Sequence, residues 1–292
     1  MPTLDNVINT STNSAGLTSL AITHPLAGGE IFLHGAHVTR WKPAGHDDVL
    51  YVSPNSHFTP TKAIRGGVPI CFPWFGPHPT NTTAPAHGFV RTRTWNLLST
   101  DVSDDEVTIH LQTTNDTPAN PNWATAFTAD YRVHFGAALS MSLSITNTSN
   151  APTTFTEALH TYLHVHDVRN ITVAGLQGVE YVSKVEENVR QKQHDAELKF
   201  ATETDRVYVN HEGNVEVIDP GMNRKIIVSK RGSRSTIVWN PFAKRAVELS
   251  DIGADNWPGF VCVESGNALD NVVTLAPGAT HELFVLIEVI KI

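Results

Sequence analysis

Cysteine is scarce in this chain: Cys71 and Cys262 are the only two, and each lies in an apolar run. Two thiols cannot build a disulfide framework, so reduced core thiols and a cytoplasmic setting are expected. A basic excess is also lacking. Lysine plus arginine number 21 against 29 aspartates and glutamates, for a formal net charge of −8. That balance argues against nucleic acid as a partner, because phosphate backbones demand a basic face. An anionic small substrate stays open, but it would need a local arginine pocket. No apolar run approaches the ~20 residues of a helical membrane span, so no membrane association is expected. The amino terminus, Met1-Pro2-Thr3-Leu4-Asp5 and on through Gly16, has no basic n-region and no apolar h-region, so no signal peptide is expected. Low-complexity segments, internal repeats and a linker rich in Pro, Gly or Ser are missing too. The 292 residues are therefore expected to form one domain, 1–292, with 40% hydrophobic residues to fill its core.

What is present is a period of two. Leu139, Met141, Leu143 and Ile145 alternate with Ser140, Ser142, Ser144 and Thr146. This is a half-buried strand, apolar on one face and hydroxylated on the other. Tyr131, Val133 and Phe135 alternate just before it, with Gly136-Ala137-Ala138 between, so 130–147 reads as a hairpin. Short runs of the same kind recur at 31–41, 107–113, 154–166, 179–183, 225–229, 236–239, 260–265 and 282–290. Turn residues part them at Pro43-Ala44-Gly45, Asn115-Asp116, Asp219-Pro220-Gly221 and Pro277-Gly278. Many short strands at this spacing predict an all-β sandwich or barrel. Helical signals are few. Pro241 to Leu249 reads as a short helix with Asn240 as N-cap, and the charged Val185 to Leu198 reads as a loop or one helical turn.

Reactive side chains sit inside four otherwise apolar segments. Glu157 to His166 places His160, Tyr162, His164 and His166 on one strand face by alternation. Three histidines on a face allow a metal site, a polar face with one catalytic histidine, or hydrogen-bonded histidines with no chemistry. In Phe260 to Gly266, Glu264 follows Val261, Cys262 and Val263, which reads as a central strand covered on both faces. A carboxylate there is costly unless paired or used, and burial raises its pKa toward that of a useful general base. Arg65 stands in Ile64-Arg65-Gly66-Gly67-Val68-Pro69, and Arg91 closes Ala86-His87-Gly88-Phe89-Val90-Arg91. A guanidinium is a planar fork matched to phosphate or carboxylate. Surface arginines beside turn glycines would give the same pattern.

Together these segments resemble the hexose-6-phosphate mutarotases of the aldose 1-epimerase superfamily. Arg65-Gly66-Gly67-Val68-Pro69 with Phe72-Pro73-Trp74-Phe75-Gly76, then His87-Gly88-Phe89-Val90-Arg91, is similar to that family's amino-terminal signature. His160-Thr161-Tyr162-Leu163 resembles its catalytic-histidine strand, and Glu203-Thr204-Asp205-Arg206-Val207 a motif whose aspartate contacts substrate. Trp239-Asn240-Pro241-Phe242, Trp257-Pro258 and Val261-Cys262-Val263-Glu264 resemble the carboxy-terminal signature with the catalytic glutamate. The order holds from about Ile31 to about Leu286.

The resemblance implies a galactose-mutarotase-like β-supersandwich with its site on a concave sheet face. It implies His160 and Glu264 as catalytic acid and base, and Arg65, Arg91, His87 and Asp205 as substrate-binding residues. No metal and no organic cofactor are implied. The expected substrate is a hexose 6-phosphate such as glucose 6-phosphate, whose α and β anomers interconvert by ring opening and closure, and a monomer is expected to suffice. Some relatives carry glutamine where Ala86 stands, so that polar contact is missing here. An epimerase of unphosphorylated sugars, a non-catalytic carbohydrate-binding module, and a metal enzyme using His160, His164 and His166 are the alternatives.

Overall fold

The computed structural model describes residues 6–115 and 120–292. The pentapeptide that opens the amino-terminal reading, and Asp116 of the expected Asn115-Asp116 turn, lie outside them. Strands dominate, and the one α-helix among the described residues is Phe242–Glu248.

Two large antiparallel sheets carry the fold. One has nine strands, in the order Glu197–Leu198, Thr172–Ala174, Val215–Asp219, Arg224–Arg231, Thr280–Lys291, Leu139–Asn147, Phe127–Gly136, Glu106–Thr114 and Asn96–Val102. The other has eight. Its order runs Val189–Lys192, Glu180–Ser183, Thr204–Val209, Ser235–Asn240, Phe260–Asn267, Glu157–Leu159 and Ile70–Cys71, with Tyr162–His164 also paired to Phe260–Asn267. A four-stranded sheet of residues 8–43 and a two-stranded one of 153–155 with 273–275 complete the set. Apolar residues of both large sheets, including Tyr131, Leu143 and Ile287 from one and Ile70, Leu159 and Tyr208 from the other, join one buried cluster.

The expected hairpin is there, as Phe127–Gly136 and Leu139–Asn147. Its alternation is strict: Leu139, Met141 and Leu143 are fully buried, while the serines between them stay half-buried. Leu143 lies between Tyr131 and Leu283 on the neighbouring strands. Leu143→Ala is expected to lower unfolding free energy by about 2–5 kcal/mol, and Ser144→Ala on the other face by less than about 0.5 kcal/mol. Denaturant titration checks both.

Two local expectations need correction. The segment Val185 to Leu198 is neither a loop nor a helical turn: it contains the strands Val189–Lys192 and Glu197–Leu198. Glu187 and Asn188, both at positive φ (52° and 65°), make the tight turn into the first of these. All four residues of Val189–Lys192 are exposed at the sheet edge, so burial imposes no alternation on them. At the helix, the N-cap position is Pro241 rather than Asn240. Asn240 still supplies the capping contact, because its Oδ1 accepts a hydrogen bond from the Phe242 amide at 2.8 Å.

Candidate active site

The register of the eight-stranded sheet builds the site. Asp205 pairs with Trp239, Trp239 with Cys262, and Cys262 with Tyr162. Two residues along each strand, and so on the same face, Val207 pairs with Ile237 and Ile237 with Glu264. The histidine strand is interrupted at His160-Thr161. Its register against Phe260–Asn267 is nonetheless the same on both sides of the break, with Leu159 opposite Ser265 and Tyr162 opposite Cys262. His160 therefore stands across from Glu264. Its Nε2 lies 3.4 Å from Glu264 Oε1.

Both residues are buried, Glu264 at 1% and His160 at 8% exposure. His160 is fixed by rings packed around it. Tyr162 stacks on it at 4.9 Å and 13°, while His87 and Trp239 meet it edge-on at 5.7 and 6.0 Å. His160 Nδ1 and Glu264 Oε2 are buried atoms with no hydrogen-bond partner. Burial, and then the charge of Asp205, pushes the Glu264 carboxyl well above its usual range. Burial, with His87, Arg65 and Arg91 nearby, pulls His160 well below its own. Burial thus favours the proton-bound form of the carboxyl and the neutral form of the imidazole, which sets the pair for proton exchange. It can take a proton from one atom of a bound molecule and return one to another.

A cavity of about 740 Å³ opens over this pair. Arg65, His87, Arg91, His160, Asp205 and Glu264 all line it, so the fold brings every expected site residue together. His164 and His166 do not join them. The strand ends at His164, whose Nδ1 lies 3.3 Å from the carbonyl of Asp48, and His166 follows outside it. The three-histidine metal grouping is overturned, because His164 lies four residues along the strand from His160, roughly 13 Å at the rise of a strand, and His166 lies beyond the strand end. Among the described residues, the metal-capable group here is His160, Cys262 and Glu264 instead.

Glycine makes the arginine segments possible by close backbone packing rather than by contact with a ligand. Gly67 has φ +60°, and a Cβ there would fall 2.2 Å from the Val38 carbonyl; at Gly88, φ +72°, it would fall 1.9 Å from that of Phe72. The two arginines then differ. Arg65 donates from Nε and Nη2 to Asp251 Oδ2, both at 2.9 Å, and from Nη1 to the Tyr162 hydroxyl at 3.0 Å. Arg91 donates from Nη2 to the Ala86 carbonyl at 2.7 Å, and no carboxylate pairs with it among the described ion pairs. Arg93 points elsewhere: its guanidinium lies over Phe89 and donates to the Thr114 carbonyl. His87, held at φ 63° beside Gly88, is pulled down to about 3 by burial and by Arg91 and Arg65, so it is a neutral ring on the cavity wall.

Sequence reading missed Lys184, Trp239 and Lys244 on the cavity wall and Asp251 behind Arg65. Lys184 borders the charged run that follows it and Lys244 stands beside Arg245 on the short helix, so each reads as an ordinary solvent-facing lysine. Asp251 is 186 residues from its partner, and spacing carries no trace of that contact.

Asp205 is half-buried, and burial raises it to about 6, with Glu203 adding to the shift and Lys184 opposing it. Its folded pKa lies above the ordinary 3.8. Its ionisation therefore weakens the fold as pH rises through about 6, and the cost is absent below the unfolded value. At neutral pH the cost is about 1–3 kcal/mol after allowance for partial solvent screening. Asp205→Asn is expected to be more stable than the native chain at pH 7.5 by that amount, with the difference gone by pH 4. Urea melts at the two pH values check this, and a variant less stable at both would refute the burial account.

Residues 19–288 match the family model described as aldose 1-epimerase. An Escherichia coli protein named "Putative glucose-6-phosphate 1-epimerase" is 34% identical over 86% of this chain and 84% of its own length. The crystal structure of a "putative mutarotase" from Salmonella typhimurium superposes with a TM-score of 0.92 at 31% identity, covering 100% of this chain and 96% of that one. A galactose mutarotase-like protein from Clostridium acetobutylicum shares the fold, with a TM-score of 0.74 at 13% identity and 98% coverage of each chain.

Proposed function

We propose, from the premise that this chain belongs to the aldose 1-epimerase family, that it is a hexose-6-phosphate mutarotase interconverting the α and β anomers of glucose 6-phosphate and related sugars. The observation that carries the reading is the buried His160–Glu264 pair at 3.4 Å on the floor of a cavity that also presents Arg91.

Anomer exchange needs a proton removed from the C1 hydroxyl and a proton delivered to the ring oxygen. Glu264 acts as base and His160 as acid in ring opening, which leaves Glu264 protonated and His160 neutral beside the free aldehyde. Rotation about C1–C2 followed by the reverse transfers closes the ring on the other face. The shifts at Glu264 and His160 favour this second protonation state. That state carries the same number of protons as the pair that opens the ring, so the two directions of exchange use one pair. No metal or organic cofactor enters these steps.

Asp205, across the cavity, accepts hydrogen bonds from sugar hydroxyls, and His87 lines the sugar site. Arg91 and Arg65 take the 6-phosphate at the rim. A dianion is repelled on average by a chain of net charge −8 and has to be captured locally. Arg91 is the stronger anchor, because Asp251 already neutralises much of the Arg65 charge. One chain supplies all of these groups, so the reading needs only a monomer. No helix among the described residues is long and apolar enough to cross a membrane, and a cytoplasmic location fits a phosphorylated substrate. The experiment is an anomer-exchange assay on purified protein. Catalysed exchange of glucose 6-phosphate supports the reading, and its absence refutes it in favour of a non-catalytic sugar-binding module.

A further inference from the structure

We propose that His160, Cys262 and Glu264 form an inhibitory site for a thiophilic divalent cation, zinc above all, where His160 and Glu264 line the substrate cavity and Cys262 lies buried beneath them. One nitrogen, one sulfur and one oxygen from these residues all lie within 4.8 Å of one another. Zinc holds nitrogen and oxygen ligands at roughly 2.0–2.2 Å and thiolate sulfur at roughly 2.3 Å. The His160–Glu264 separation of 3.4 Å already suits two ligands of one ion, and the Cys262 sulfur lies within 4.8 Å of both.

The fold supplies this arrangement directly. Cys262 and Glu264 are two apart on one fully buried strand and share its face, and His160 stands across from Glu264 on the next. An independent observation points to a ligand: Glu264 Oε2 is a fully buried acceptor with no partner, in a residue only 1% exposed. A cation would satisfy it. The mixed donor set selects zinc, cadmium or cobalt and rejects magnesium, which demands an octahedron of oxygens. Three protein donors leave the remaining position facing the cavity. On binding, the ion displaces the Cys262 thiol proton and any proton held by the His160–Glu264 pair, released to solvent.

The consequence for activity rests on the proposed function. The ion would occupy the two atoms that exchange protons with the sugar, so ion and substrate exclude one another. Cys262 has no part in the proton transfers themselves.

Two measurements test the site. Cobalt(II) titrated into the native chain is expected to give a thiolate-to-metal charge-transfer band in the near ultraviolet, and Cys262→Ala to give none; this readout needs no catalysis. Chelator-buffered zinc is expected to raise KM for the sugar phosphate without changing kcat, reversibly on adding excess chelator, while magnesium does nothing. Cys262→Ala should keep its metal-free rate and lose sensitivity to zinc by about tenfold or more, as loss of a direct ligand demands. Should that variant fold poorly, Cys262→Ser carries the same comparison. Absence of the cobalt band from the native chain, or equal zinc inhibition of the Cys262 variants, overturns the proposal. A chain that shows the band yet does not exchange anomers keeps the metal site and overturns the function.

Discussion

Glu264→Gln is expected to slow anomer exchange by about 10²–10⁴-fold while melting at or above the native temperature. The two halves of this result come from one fact. Glu264 is 1% exposed, and burial pushes its carboxyl well above the usual carboxylate range. An amide of the same shape therefore removes a charge that the site already disfavours, and the fold loses little. Catalysis loses its proton acceptor, because the amide cannot take the C1 hydroxyl proton. His160→Ala is expected to fall by a similar factor, and the double variant to lose little more than either single one, since the pair works as a unit. A folded Glu264→Gln protein with near-native rate would show that the buried carboxyl is structural.

Arg91→Ala is expected to raise KM for glucose 6-phosphate by about 10–200-fold, from the ~1.5–3 kcal/mol of a hydrogen bond to a charged group. The slower reaction of unphosphorylated glucose should hardly change, and added salt should weaken only the phosphorylated substrate. Arg65→Ala should behave differently. Arg65 ties Asp251 to the Tyr162 hydroxyl, and Tyr162 stacks on His160. Removing it should disturb the catalytic ring and slow both sugars. Equal damage to both substrates by Arg91→Ala, together with a lowered melting temperature, would mean that this arginine serves the fold. Measuring both sugars and a melting curve on each variant separates these outcomes.

Much of the site could be read from the chain because apolar contrast marks it. Glu264 stands out within Val261 to Val263, and His160 within its own apolar run, for the same reason that makes them chemically useful: the surroundings are dry. The strict alternation of Leu139 to Ile145 was equally legible, since one face is buried and the other is not. Where that contrast vanishes, so does the signal. The strand Val189–Lys192 is exposed along its whole length, and its charged sequence looks like a loop. Alternation puts His160 and His164 on one face but leaves them four residues apart along it, and His166 lies past the strand end. The facing of His160 and Glu264 is a matter of register between segments about a hundred residues apart, which no local pattern encodes. The clamp of Asp251 on Arg65 was hidden in the same way, and it is what makes two similar arginine motifs unequal.

The central claim, that the site is built for a phosphorylated hexose, is tested most directly by measuring anomer-exchange rates of glucose 6-phosphate and glucose side by side on the native protein. Magnetisation-transfer NMR at matched concentrations gives kcat/KM for each. Capture of the phosphate by Arg91 and Arg65 predicts a preference for glucose 6-phosphate of at least about 10-fold, by the strength of a charged hydrogen bond. Equal rates, or a preference for glucose, would contradict it and identify the protein as an epimerase of unphosphorylated sugars.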